Sequence, residues 1–152
     1  MKKLKIYVDA DACPKIIKEI LYKTALRLNV SVIFVADNFL RIPQSIYISA
    51  IKVPSDIDSA DEKIVELTEP GDLVITADIP LADQIVTKGA FALNPRGELY
   101  TEKNIKDRLA IRDMMAEMRS CGLEGGGPPA FSPKNKENFT NQLDRFLTKM
   151  LK

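Results

Sequence analysis

Short runs of β-branched and apolar residues recur along the first hundred positions, and most are followed by a segment of helical period. That alternation constrains the fold more than any other feature. Residues 4–8, 30–36, 46–53, 73–76 and 90–93 read as strands. After the first, Pro14 suits an opening helical turn, and Ile16, Ile17, Ile20, Leu21 and Ala25 follow at helical spacing. Asp58 or Ser59 is expected to cap a helix through about Thr68, with Ser59 and Glu62 fitting a capping box. Residues 79–88 form a short helix stopped by Gly89. Pro70-Gly71-Asp72 and residues 94–97 read as turns. Thr101 caps a long helix or helix pair up to Arg119, and Ser132-Pro133 opens a last helix ending near Leu151.

Strands that alternate with helices imply a mostly parallel sheet covered on both faces. The expected fold class is therefore α/β: three layers, α/β/α, with about five strands and extra C-terminal helices. A chain of 152 residues suits one domain, with a core over about 1–100 and a helical part over about 101–152. If the chain first winds one way from strand 1 and later returns to its other side, strand 4 lies beside strand 1. The carboxyl ends of those two strands then flank the switch-point crevice where ligands bind. Asp9 and Asp11 follow strand 1, and Asp78 follows strand 4. The pattern thus directs three carboxylates to one crevice.

The helix after Asp58 adds a fourth. Asp61 stands four residues after Ile57, three before Ile64 and four before Val65, on the face that docks the helix. An inward carboxylate needs a partner, because burying an unpaired charge is costly. The one base nearby, Lys63, projects about 200° away around the helix. A cation in the crevice would meet the need, and all-oxygen ligands suit Mg²⁺ or Mn²⁺ rather than zinc. Taken singly, Asp9, Asp58 and Asp78 can each be plain helix caps.

Composition removes several chemistries. Without histidine, the chain cannot build Ser-His or Cys-His pairs or a His-ligated zinc. Its two cysteines, Cys13 and Cys121, make neither a CxxC site nor a disulfide framework. Cys13 near a helix N-terminus can be an activated thiol; the plainer expectation is a small buried one. Lys and Arg number 22 against 21 Asp and Glu, so a strongly basic nucleic-acid module is not expected. Seven of those acids (Asp56, Asp58, Asp61, Glu62, Glu66, Glu69 and Asp72) fall within residues 56–72, beside the single base Lys63, mostly as a solvated helix face. The basic opening MKKLK leads into too short an apolar run for a signal peptide, and no stretch approaches a membrane span. A cytoplasmic protein with reduced thiols and no membrane partner is the expectation. GLEGGGPP, residues 122–129, lacks the lysine and spacing of a P-loop and reads as a connector.

The stretches VDADACP, PSDIDSADEKIVE, GDLVITADIPLAD, KGAFALNPRGELYT and GGGPPAF together resemble the bacterial YaiI/YqxD family over nearly the whole chain. The resemblance implies a PIN-like fold, found in many metal-dependent ribonucleases. There one acid ends the first strand, one lies on a middle helix, and one or two follow the fourth strand. By that implication the roles fall on Asp9, Asp61 and Asp78, with Asp83 a fourth candidate and Asp58 competing for the helix position. Asp11 and Cys13 lie outside the usual PIN pattern and suggest a specialised variant.

The leading expectation is a Mg²⁺- or Mn²⁺-dependent phosphodiesterase or ribonuclease. Asp9, Asp61 and Asp78 would be catalytic, and Asp11, Asp58 and Asp83 further metal candidates. Arg41, Arg96, Arg112 and Arg119 are the candidates for holding an RNA backbone; each taken singly is more simply a surface charge. One alternative is an aspartate-nucleophile phosphomonoesterase, with Asp9 attacking phosphorus and Asp11 as acid/base. Another is a PIN-like module that binds RNA or protein without cutting.

Overall fold

A computed structural model describes residues 3–56, 58–122 and 130–151. Ile57, used above to place Asp61 on a helix face, and all but the first residue of GLEGGGPP lie outside the described residues. The chain forms β1 (Lys5–Asp9), a single 3₁₀ turn (Ala10–Ala12), α1 (Lys15–Leu28), β2 (Ser31–Ala36) and β3 (Ile48–Lys52). It continues through α2 (Ser59–Leu67), β4 (Leu73–Ile75), α3 (Ile79–Thr87), β5 (Phe91–Leu93), β6 (Leu99–Tyr100), α4 (Glu102–Ser120) and α5 (Pro133–Met150).

The six strands make one sheet in the order β3-β2-β1-β4-β5-β6. The chain steps outward from β1 to β3, then crosses back to lay β4 on the free side of β1, parallel to it. The switch point therefore lies between β1 and β4, where the alternation of patterns places it. The sheet has six strands rather than about five. Leu99–Tyr100 turns back antiparallel on β5, and two residues are too short a run to show a period. β3 begins at Ile48 rather than at residue 46: Ser45 bridges to Ile48, and Ile46 is left exposed.

Period-two alternation divides the core between the two faces of the sheet. Ile6 and Val8 of β1, Val32 and Phe34 of β2, and Leu73 and Ile75 of β4 pack with Ile17 and Leu21 of α1 and with Phe139, Leu143 and Phe146 of α5. Tyr7, Val35 and Val74 point the other way, toward Ile64 of α2, Leu81 and Ile85 of α3, and Ile105 of α4. The architecture is thus α/β/α. Helix α5 is a working part of one layer rather than an addition to a finished core. Helix α4 starts from a reciprocal Thr101–Asn104 capping box, but Ile105 is its one buried residue and 110–120 are all exposed.

Asp9 follows Tyr7 and Val8, so alternation sends its side chain to the α2/α3 side. Register then chooses its neighbours. Val8 lies opposite Ile75, which sets Asp9 against Thr76; Asp9 also lies opposite Val35, which brings Asp11 toward Asp37.

Candidate active site at the carboxyl edge of the sheet

Asp9 is 8% exposed, one of the few buried charged side chains among the described residues. Its Oδ2 accepts a hydrogen bond from the Thr76 hydroxyl at 3.0 Å, and the same hydroxyl oxygen accepts from the backbone N–H of Asp78 at 3.0 Å. Thr76 thereby couples the ends of β1 and β4. Asp78 is the N-cap of α3: its Oδ1 accepts from the Leu81 N–H at 2.9 Å, and Pro80 occupies the first turn. The cap and the site are the same residue, so the plain reading of Asp78 as a cap does not compete with a functional one.

Asp61 sits half-buried in the first turn of α2, facing this pair. Burial raises its pKa to about 6, and the charges of Asp78, Asp9 and Asp58 add to the rise, as does a hydrogen bond with the Asp78 side chain. Asp9 is raised as well, chiefly by burial; the Thr76 hydroxyl lowers it, and the charges of Asp78 and Asp11 raise it. Asp9, Asp61 and Asp78 therefore confront one another, and among the described residues no lysine or arginine is ion-paired with any of them. Lys63, the base nearest in sequence, pairs with Glu66 instead.

A second acidic pair borders the first. Asp11 Oδ2 accepts from the backbone N–H of Asp37 at 2.8 Å, just past the end of β2. The Asp37 carboxyl is raised by desolvation, by the Asp11 charge and by a hydrogen bond with Asp11. Asp9 and Asp11 thus turn to different strands, one to β4 and the other to β2.

The remaining candidates stand as follows. Asp58 is the N-cap of α2 in the left-handed region, φ 68°, with no capping hydrogen bond from its side chain; its charge reaches Asp61. The Ser59–Glu62 capping box does not form, because Asp58 is the N-cap and the helix begins one residue earlier than that motif requires, so Glu62 N–H bonds the Asp58 carbonyl. Asp83, on α3, is ion-paired with Lys106 of α4 at 2.9 Å and is not brought to the other acids. Arg41 is exposed in the loop after β2, and Arg119 is exposed on the distal part of α4; Arg112, also there, contacts Asp113. Arg96, in the turn after β5, bonds Asn135 and lies over the Phe131 ring. Within the acidic run, Asp72 is buried and accepts from the N–H groups of Lys5 and Glu69, a structural duty at the amino edge of the sheet.

Cys13 is not an activated thiol. Burial pushes its pKa to about 12, against the weaker opposing pull of Lys18. The preceding 3₁₀ turn and Pro14 keep it from the first helical N–H groups, which corrects the alternative of a lowered pKa. Among the described residues no three acidic or cysteine side chains are gathered tightly enough to hold an ion between them as they stand. The six candidate aspartates divide into the Asp9–Asp61–Asp78 set with Asp58 at its edge, Asp11 paired with Asp37, and the separately paired Asp83. Sequence reasoning passed over two members, Thr76 and Asp37. A cleft of ≈ 490 Å³ opens at the opposite edge of the sheet between Leu4, Asn29 and Gly71, away from these acids.

The chain can now be set beside known proteins. A family profile described as "Uncharacterized BCR, YaiI/YqxD family" matches residues 7–149. A UPF0178 protein of Maridesulfovibrio salexigens is 62% identical over 148 residues, covering 97% of this chain and 98% of the relative. One from Shewanella pealeana is 57% identical over 146 residues, covering 96% and 97%. One from Photobacterium profundum is 53% identical over 149 residues, covering 98% and 99%. No solved structure matches the chain at a significant level. Among the described residues no helix is long and apolar enough to cross a membrane.

Proposed function

The chain belongs to the YaiI/YqxD family, and from its acidic crevice we infer that it is a Mg²⁺- or Mn²⁺-dependent phosphodiesterase acting on RNA, in the manner of PIN-like ribonucleases. The observation that carries the reading is the mutual opposition of Asp9, Asp61 and Asp78, with the Asp61 carboxyl raised to about 6 and no cationic side chain paired to any of the three among the described residues. A fold retains such repulsion at a cost, and a divalent cation reverses its sign.

The donor chemistry fits. Carboxylates are hard oxygen ligands, and the chain has no histidine to draw a softer metal. Mg²⁺ ordinarily keeps several waters and takes one or two carboxylates together with substrate phosphates, so it does not require a tight three-ligand chelate. Asp9, Asp61 and Asp78 would hold it, and Asp58 and Asp11 would contribute charge from the rim. When bound, the cation supplies charge to the phosphate and lowers the pKa of an attacking water. The rest falls to the chain's own residues. Thr76 fixes the Asp9 carboxylate through its hydroxyl and holds the Asp78 backbone, so the two acids keep one relative position. Asp83 is not assigned a ligand's role, being committed to Lys106. The aspartate-nucleophile alternative needs Asp9 and Asp11 to serve one phosphate, whereas Asp11 is turned to Asp37.

The test is cleavage of a fluorogenic single-stranded RNA with millimolar Mg²⁺ or Mn²⁺. Turnover should vanish in EDTA and fall at least about 100-fold in Asp9→Asn and Asp78→Asn. Metal should also raise the melting temperature of the wild type, by the equivalent of about 2.7 kcal/mol at 100 times Kd. Metal-independent turnover, or an unchanged melting temperature across that range, would refute the reading.

A further inference from the structure

Helix α4 carries two apolar faces on nearly opposite sides. Ile105 is buried in the cluster that holds Leu81, Ile85 and Tyr100, and Leu109, one turn on, is half-buried. The second face follows. Ile111, Met114, Met115 and Met118 recur at i, i+3, i+4 and i+7 and are 44, 50, 41 and 36% exposed. By helical geometry the centre of this stripe stands about 130° from Ile105 and about 170° from Leu109 around the axis. The stripe therefore points away from the domain on which α4 is docked.

The docked half ends near the end of the sheet. Helix α4 starts just past Tyr100, and two turns on Arg108 returns to Glu98, which precedes β6 and whose carbonyl accepts from the Asn94 N–H at 2.8 Å. The helix thus runs back along β6 toward the carboxyl edge. From Ala110 to Ser120 every residue is exposed, a projection of about 16 Å.

Four adjacent apolar side chains on one projecting stripe form a patch, unlike a single exposed one. Residues 123–129 bring one large apolar side chain, Leu123, too little to cover four. Charge decides what fits. Residues 110–120 hold Arg112 and Arg119 against Asp113 and Glu117, a net charge of zero, so this surface has no field to draw RNA or anionic lipid. An apolar stripe with a rim of both signs is complementary to a second copy of itself. The flanks also fix the direction. Arg112 and Arg119 are seven residues apart and share one flank; Asp107 and Met114, also seven apart, share the other. An antiparallel pair would set each arginine row against its own image. A parallel pair sets it against the Asp107–Met114 flank of the other copy. Arg112 contacts its exposed neighbour Asp113 at 3.4 Å, a surface pair weak enough to exchange for Asp107 of that copy.

We propose that the chain forms a two-fold dimer in which the projecting halves of α4 pack in parallel through Ile111, Met114, Met115 and Met118. The two domains lie outside the pair, because each stripe faces away from its own domain. Both helices point the same way, so both carboxyl edges, with their acids, face the same direction. The shared surface is small, and the dimer dissociates in the micromolar range. It stands whether or not the crevice cleaves RNA.

Sedimentation velocity of the full chain, up to about 300 µM, should show a reversible monomer–dimer equilibrium. Met115→Lys and Met118→Lys should each weaken it at least about 10-fold while leaving the far-ultraviolet circular dichroism unchanged, since both side chains project from the domain. A wild type that stays monomeric, or variants that dimerise as well as it does, would overturn the proposal. Cross-linking reads the direction without any substitution. Cys121, just past α4, is exposed, and Cys13 is buried. In a parallel pair the two Cys121 thiols lie at one end, within about 15 Å for helices 8–10 Å apart. In an antiparallel pair centred on the stripe they lie about 20 Å apart along the axis alone. A short bismaleimide should join two wild-type chains at dimer-forming concentration and fail with Met118→Lys. A dimer whose Cys121 thiols cannot be joined would refute the parallel arrangement. Flotation of the monomer with anionic vesicles, abolished by Met115→Lys, would make the stripe a lipid-binding surface and refute the dimer.

Discussion

Replacing Asp61 by asparagine should stabilise the metal-free protein at neutral pH, although asparagine is no more apolar than the half-buried side chain it replaces. The Asp61 carboxyl ionises at about 6 in the folded chain against 3.8 as the reference, because burial and the charges of Asp78, Asp9 and Asp58 all oppose its ionised form. At about 1.4 kcal/mol for each tenfold change in the ionisation constant, the full displacement corresponds to about 3 kcal/mol. Asp61 keeps contact with solvent, so screening reduces this to about 1.5 kcal/mol. The sign follows from proton uptake. Between pH 3.8 and about 6 the folded state holds a proton that the unfolded state has released, so stability falls as pH rises through that window. Above about 6 the penalty is present in full; below 3.8 it is absent. Asparagine keeps the shape and can still bond Asp78, but carries no charge. Thermal melts in EDTA from pH 4 to 7.5 should therefore show the variant gaining about 3 to 6 °C at pH 7.5 and little at pH 4. A variant that is less stable at pH 7.5, or whose difference from wild type is flat with pH, would show that Asp61 does not face uncompensated charge, and the argument for a cation would lose its support.

Three further outcomes are expected. Thr76→Val should cost about 1 to 3 kcal/mol, because it removes the partner of both the buried Asp9 carboxylate and the Asp78 N–H, and it should depress RNA cleavage while leaving RNA binding in EDTA intact; denaturant melts paired with fluorescence anisotropy of a labelled RNA check this. Gly97→Ala should lower stability by more than about 2 kcal/mol, since the residue is at φ 99° and its Cβ would stand 2.6 to 2.7 Å from Asn138 and Phe139 atoms; a melting temperature within about 2 °C of wild type would show that turn to be more yielding than described. A thiol-reactive dye at pH 8 should label the exposed Cys121 readily and the native Cys13 only on unfolding, because the Cys13 thiol is buried and ionises at about 12; equal rates would contradict its packing.

The fold was legible because its determinants are periodic. Runs of β-branched residues separated by helical segments imply a parallel sheet, and parallel connections imply the crossing back that puts β4 beside β1. From that alone Asp9 and Asp78 meet at one edge, and the apolar periodicity of α2 adds Asp61. Where period failed, so did the reading. β6 is two residues long, and nothing in Leu99-Tyr100 separates it from a turn. Ser59–Glu62 matches a capping box by spacing, but the chain enters α2 through Asp58 in a left-handed conformation, so Glu62 falls at the position that bonds the Asp58 carbonyl. Helix identity was readable there; the rotation of its first turn was not.

The missed members of the site share one cause. Thr76 was visible as the last residue of a strand, and Asp37 as the first residue of a loop, and each is ordinary in that place. What makes them part of the site is register: Val8 opposite Ile75 carries Asp9 to Thr76, and Asp9 opposite Val35 carries Asp11 to Asp37. A slip of one residue between β1 and β4 would turn every side chain of β1 to the other face and dissolve the cluster. Local sequence can announce which residues carry charge. It cannot announce whether a charge is opposed, because the opposing group arrives from a strand or helix tens of residues away. Asp83 and Asp61 make the point together: both are aspartates on short helices packed on the same face of the sheet, yet Asp83 meets Lys106 from α4 and is satisfied, while Asp61 meets Asp78 and Asp9. The difference between a surface ion pair and a cation-seeking crevice is thus set by tertiary contact, and it is a difference that one titration of the folded chain can measure.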